Sequence, residues 1–146
     1  MITRADIVAE ALTWIDTPYQ HQAMLKGVGC DCIGLIGGVA LACNVQGASD
    51  WARDPRFKGY GRLPDPKPLL QACNEYLIAI PHQRAALGDI LLLGWSEMPQ
   101  HFTLISRESP RYILHSYISA RRVVENIVDT TWQSRIRGAY RFRGIA

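Results

Sequence analysis

The chain is poor in the features that would force a special reading of it. Four cysteines among 146 residues are too few for a scaffold built on disulfides, and a chain of this length buries a core without such staples. No apolar run approaches the ~20 residues needed to span a bilayer, so no membrane partner is expected. The formal charge is only +3. With no dense basic helix and no interleaving of basic and aromatic residues, no nucleic-acid partner is expected either. The opening MITRADIVAEALTWI sets Asp6 and Glu10 inside what a secretory signal would need as its apolar stretch, and no small-residue cleavage site follows. The expectation is synthesis in the cytoplasm without a signal peptide, where thiols stay reduced. Repeats and low-complexity segments are absent, so residues 1–146 read as a single domain.

What is present divides into helices first and strands second. Thr3 with Asp6 makes a capping pair, and Ile7, Ala11, Trp14 and Ile15 recur at helical spacing, which predicts a helix over residues 4–15. A glycine-rich loop leads into a second helix over 32–43. Its residues Ile33, Leu35, Ile36, Val39 and Leu41 are apolar nearly all round, so it belongs at the centre of the domain. Gly34, Gly37 and Gly38 in it allow close approach of a sheet. Residues 44–66 read as a long surface loop, of a length that suits lining a cleft, in which Arg53, Arg56 and Arg62 read as solvated charges, with contact to substrate carboxylates as the alternative. A third helix starts at Pro66 and Pro68 and carries Leu69, Leu70, Cys73, Tyr76 and Leu77 on one side. After Pro81 come DILLLGW, HFTLIS, RYILHSYI and RRVVENIV, and GAYRFRG closes the chain. These short β-branched and aromatic runs predict an α+β domain with an antiparallel sheet packed on the central helix.

The stretch GVGCDCIGLIGG raises the functional question. Cys30 and Cys32 stand closer together than the usual pair of zinc ligands, and no second pair follows, so a metal site is not expected. A disulfide between residues two apart would be strained. Cys43 and Cys73 sit on helix faces among apolar residues and read as small buried hydrophobes. Cys32, in the first turn of the central helix, would have its thiolate stabilised by unpaired amides and the helix dipole, with Asp31 as N-cap. Cys30, in the loop before the helix, gains none of this.

A nucleophile needs a base. His101 opens one strand, with Thr103 on its face and Phe102 and Leu104 on the other. His115 lies in the next strand and becomes a cross-strand neighbour in an antiparallel pair, able to hold the His101 imidazole in one tautomer. His21 and His82 fall in turn-like segments at unrelated spacings.

These segments carry a resemblance. TPYQHQ with GCDCIGLIGG, then LGDILLL, QHFTLIS and ILHSYISARRVVE, resemble the successive motifs of the NlpC-type cysteine peptidases, a papain-like family, over about residues 5–125. They are most similar to the versions found in phage tails and gene transfer agents, and GAYRFRG fits that subgroup too. The resemblance implies the papain-like NlpC-type fold and a catalytic set of Cys32, His101 and His115. It sets Tyr19 at the border of the active site, where Tyr19 and Asp31 form the substrate and oxyanion side. It also implies no cofactor and no metal. The implied substrate is a peptidoglycan peptide, typically at the bond between the D-glutamate γ-carboxyl and diaminopimelate. The implied partners are proteins of a phage-tail-like particle that delivers the domain to the cell wall. A tail-assembly module with little turnover, or an amidase or acyltransferase using the same residues, are the alternatives.

Overall fold

The computed structural model describes residues 1–57, 66–95 and 101–146. Helix α1 covers Arg4–Leu12, with Thr3 Oγ1 accepting from the Asp6 amide at 3.1 Å and the Thr3 amide donating back to Asp6 at 2.8 Å. It ends three residues earlier than the apolar spacing predicts. The chain turns there so that the Asp16 amide can donate to the Val123 carbonyl, while Trp14 still buries its ring. A short hairpin of β1 (Met24–Leu25) and β2 (Gly29–Cys30) leads into α2 (Cys32–Ala42).

Eight residues of α2 are buried, as a helix with no polar face requires. Its glycines do not serve a sheet. A Cβ on Gly34 would collide with the Ala23 carbonyl, and one on Gly38 with the Trp14 ring. The close approach is therefore to the β1 segment and to the turn after α1.

Residues 44–66 are not one long loop. They hold α3 (Ala48–Arg53) and a 3-10 turn (Pro55–Phe57), while 58–65, with Arg62, lie outside the described residues. Trp51 and Phe57 are buried against each other, with ring centroids 5.0 Å apart. Arg56 is not simply solvated: its guanidinium pairs with Asp54 at 2.7 Å and with Glu75 at 2.6 Å. Helix α4 (Pro66–Tyr76) stops one residue before Leu77, which opens strand β3 (Leu77–Ile80). The helical spacing hid that strand because Leu77 continues the apolar side of α4.

Strands β4 (Ile90–Leu93), β5 (His101–Arg107), β6 (Tyr112–Tyr117) and β7 (Arg122–Ile127) follow, then a short α5 (Thr130–Gln133) and β8 (Ile136–Phe142). The six-stranded sheet has the order β3-β8-β4-β5-β6-β7 and every pair is antiparallel. The predicted α+β architecture is the observed one.

Alternation along the strands divides the core in two. Leu92, Phe102, Leu104 and Leu114 join α2 in the main cluster, while Leu91, Leu93, Ile105 and Ile113 form a second cluster on the other face. Asp89, fully buried at the start of β4, ties the ends of the chain together. It pairs with Arg4 of α1 at 3.0 Å and with Arg141 of β8 at 2.7 Å.

Candidate active site

Cys32 is the first residue of α2, and Asp31 caps it. Asp31 Oδ1 accepts from the Gly34 amide at 2.8 Å, and Oδ2 accepts from the Gln22 amide at 2.7 Å. One carboxylate thus fixes both the start of the helix and the segment after Tyr19. The N-cap role expected of Asp31 is the observed one. Asp31 is 2% exposed and its oxygens accept from the main chain. A carboxylate has no proton to give a developing oxyanion. Its part is to position.

The Cys32 sulfur receives amide hydrogens of Phe102, Ile33 and Cys32 itself. The first turn of α2 therefore meets the beginning of β5, where His101 lies. Burial, then the neighbouring Asp31 charge, push the Cys32 thiol up to about 12. Those effects outweigh the helix-start amides, so the resting group is a thiol and not the thiolate that helix position alone suggests. Cys30 is fully buried two residues earlier. Its carbonyl accepts from Ser116 Oγ at 2.7 Å, and burial raises its thiol to about 11. Cys73 is buried and Cys43 packs against the main core.

His101 Nε2 lies 2.7 Å from His115 Nδ1, and His115 Nε2 lies 2.7 Å from Asn126 Oδ1. The register explains this chain of contacts. Leu104 faces Leu114, which sets Thr103 opposite His115 and makes His101 and His115 diagonal neighbours. His115 faces Val124, so Asn126 is its diagonal neighbour on the next strand. The three side chains step across β5, β6 and β7 on one sheet face.

Their proton order follows from Asn126. Its Oδ1 only accepts, so His115 donates from Nε2 and presents a bare Nδ1. That nitrogen takes the hydrogen of His101 Nε2, which leaves His101 Nδ1 as the basic nitrogen. Helix α2 packs on the opposite face, against Phe102 and Leu104.

Aromatic rings wall in the pair. Tyr117 stacks on His115 with centroids 5.0 Å apart, Trp132 meets His115 edge-on at 5.3 Å, and Trp95 meets His101 edge-on at 6.0 Å. Burial, then His115, hold His101 well below the ordinary imidazole range. Burial also lowers His115, against the opposing pull of Asn126.

Tyr19 reaches the site through its main chain. It bridges Cys30 in parallel, with the Gln20 amide donating to the Cys30 carbonyl and the Cys30 amide to the Pro18 carbonyl, both at 3.0 Å. Tyr19, Gln20, His21 and Ile118 line an open cleft there. His82 lies in a 3-10 turn (His82–Arg84), with its Nε2 3.3 Å from the Gln83 side-chain amide.

His101 and His115 are thus in direct contact, and the amide of Phe102, next to His101 in the chain, reaches the Cys32 sulfur. Sequence reasoning missed Asn126 and the ring wall. The period-2 pattern does put Asn126 on the face of Val124, but its place beside His115 depends on a register that residue types do not specify.

No family model matches the chain, and no curated protein matches its sequence. Solved structures do. The chain is similar to an NlpC/P60 family protein from Bacillus cereus ATCC 10987, at 15% identity and a TM-score of 0.68, covering 96% of this chain and 40% of that one. It is similar to the NlpC/p60 domain of the peptidoglycan hydrolase SagA, at 25% identity and a TM-score of 0.63, over 95% of this chain and 98% of that one. An N-acetylmuramoyl-L-alanine amidase from Bacteroides uniformis ATCC 8492 aligns at 12% identity with a TM-score of 0.65, over 96% and 98% of the two chains. The fold is the papain-like fold of NlpC/P60 domains.

Proposed function

We propose that the protein is a cysteine peptidase that hydrolyses amide bonds in the peptides of bacterial peptidoglycan. The observation that carries this reading is the diagonal relay from Asn126 through His115 to His101, whose chain neighbour Phe102 presents its amide to the Cys32 sulfur. In this mechanism the Cys32 sulfur attacks the amide carbonyl carbon as its proton passes to His101 Nδ1. The main-chain amide of Cys32 and the Tyr19 hydroxyl receive the oxyanion. When the C–N bond breaks, His101 gives that proton to the leaving amine, and a thioester remains on Cys32. Water then attacks the thioester and yields a proton to His101. The carboxylic acid departs and the proton returns to sulfur.

The structural neighbours named as a peptidoglycan hydrolase and as an amidase support the substrate class. The resemblance to NlpC-type peptidases carried by GCDCIGLIGG, QHFTLIS and ILHSYISARRVVE supports the finer reading of a γ-D-glutamyl–diaminopimelate bond. The closing GAYRFRG supports action at the cell wall as part of a phage-tail or gene-transfer-agent particle. Incubation with purified peptidoglycan, followed by mass analysis, should release peptides with a new amino-terminal diaminopimelate. A chelator leaves that release unchanged, and Cys32→Ala abolishes it in a protein that still melts cooperatively. Undiminished release by Cys32→Ala overturns the mechanism. Release of intact stem peptides beginning with L-alanine moves the assignment to an amidase.

A further inference from the structure

The proton donor fixes which part of a substrate lies where. In the proposed mechanism His101 hands a proton to the leaving amine, so the residue bearing that amine must rest against His101, on the side away from the Cys32 acyl group. The exposed ring against His101 is Trp95, edge-on at 6.0 Å and 47% exposed. Behind it stands Arg135. Its guanidinium carbon lies 4.9 Å from the Trp95 ring and also 4.9 Å from the Trp132 ring. The two indoles are themselves edge-to-face at 6.4 Å, and Trp132 touches His115.

The main chain holds this arrangement in place. The Gly94 amide donates to the Arg135 carbonyl at 2.8 Å, which ties Arg135 to the residue following β4, and the Arg135 amide donates to Trp132 at 3.0 Å. Arg4, Arg56, Arg107, Arg111, Arg122 and Arg141 each pair with a carboxylate. Arg135 pairs with none among the described residues. The two indoles are perpendicular, so the guanidinium sits in their corner and can stack face-on to one of them, which leaves in-plane N–H groups that match the two oxygens of a carboxylate. Stacking also removes the rotamer freedom that a long side chain would lose on binding.

We infer that Arg135, held between Trp95 and Trp132, is a specificity-determining residue that binds a carboxylate on the leaving-group residue of the substrate. This rests on the proposed peptidase reading for the side on which that residue sits. The methylene chain of such a residue lies along the exposed indole of Trp95 while its carboxylate reaches the guanidinium.

Two measurements test it. The first compares kcat/KM for L-alanyl-γ-D-glutamyl-diaminopimelate with that for the same peptide carrying both diaminopimelate carboxyls as carboxamides. A charge-assisted pair at a half-exposed site predicts a preference for the acid of about tenfold. Arg135→Gln brings the two rates together by lowering that of the acid, and Arg135→Lys restores part of the gap. The second measurement titrates the acid peptide into Cys32→Ala protein and follows the Trp95 indole N–H by NMR. The shift is expected in that protein and is lost when Arg135→Gln is added. Equal rates for the acid and the bis-amide in the native protein overturn the inference and leave the peptidase reading standing. Binding through Arg135 with no turnover of either peptide overturns the peptidase reading and leaves the carboxylate site. Neither turnover nor binding overturns both.

Discussion

His115 Nε2 and Asn126 Oδ1 lie 2.7 Å apart, and that contact decides which nitrogen of His101 can act as a base. An imidazole whose partner only accepts has one stable tautomer, and the choice passes to the next ring. Replacing Asn126 with Leu removes the acceptor, so His115 can carry its proton on Nδ1 and no longer accept from His101. We expect Asn126→Leu to lower kcat by at least about tenfold through loss of the competent tautomer, with KM little changed. Asn126→Asp keeps the acceptor and retains most of the activity. The diagnostic reading is the 15N shift of His101: in Asn126→Leu its Nδ1 should lose the signature of a bare nitrogen. A fall in kcat with the tautomer unaltered would refute a positioning role.

The histidines divide the work under the proposed mechanism. His101 exchanges a proton with substrate and sulfur, so His101→Ala is expected to reduce kcat/KM by about 10²–10⁴-fold. Toward His101, His115 only accepts a hydrogen bond, so the amide oxygen of His115→Gln or His115→Asn preserves measurable turnover, and His115→Ala preserves less. His21→Ala and His82→Ala act on binding or stability alone, compared at equal folded fraction by thermal melts. Turnover surviving in His101→Ala but lost in His82→Ala would reject this arrangement.

Residue chemistry made Cys32, His101 and His115 the candidates in the sequence, because each stands on an element with a strong local pattern. Asp31 was legible as a cap for the same reason: an acid three residues before Gly34, at the head of an apolar run, has an evident partner in the helix amides. What the pattern did not carry was register. Asn126 lies 11 residues from His115 along the chain and becomes its neighbour only once β6 and β7 pair at His115 and Val124. The thiol also went the other way. Helix position argues for a thiolate, but the sulfur's burial depends on how β5 closes over the helix start, which no local pattern encodes. Strand β3 was hidden because Leu77 fits the apolar side of α4 as well as it fits a strand.

The pH dependence follows from the same burial. Turnover needs one proton shared between Cys32 and His101, and a second proton on His101 stops it. His101 is held well below its usual 6.5, and the Cys32 thiol is pushed up to about 12. The acid limb of kcat/KM therefore lies below about 6.5, and activity stays flat from there to about pH 9. Stability has a matching sign. Both histidines bind protons less readily folded than unfolded, so their contribution is fully present above about 6.5 and is lost as pH falls through the folded values. Melting temperatures should drop between pH 7 and 5, and the drop should shrink in His115→Gln. An acid limb above 6.5 would contradict the buried imidazole pair.

Two destabilising substitutions should separate the site from the scaffold. In Gly34→Ala the new methyl meets the Ala23 carbonyl, in the segment that Asp31 holds through Gln22 and that follows Tyr19. Backbone must move there, costing about 1–3 kcal/mol, and what moves is the wall of the cleft. In Asp89→Asn the lost charge leaves Arg4 and Arg141 unpaired at the far end of β4. Both arginines keep partial access to water, so the cost should fall at about 2–3 kcal/mol, below that of a fully buried pair. Urea melts measure both losses. At equal folded fraction Gly34→Ala is expected to raise KM and lower kcat, because the helix start and the Tyr19 segment shift together. Asp89→Asn is expected to leave both constants alone, since nothing it touches faces Cys32 or His101. Identical kinetic losses in the two variants would mean that the cleft wall and the scaffold do not move independently.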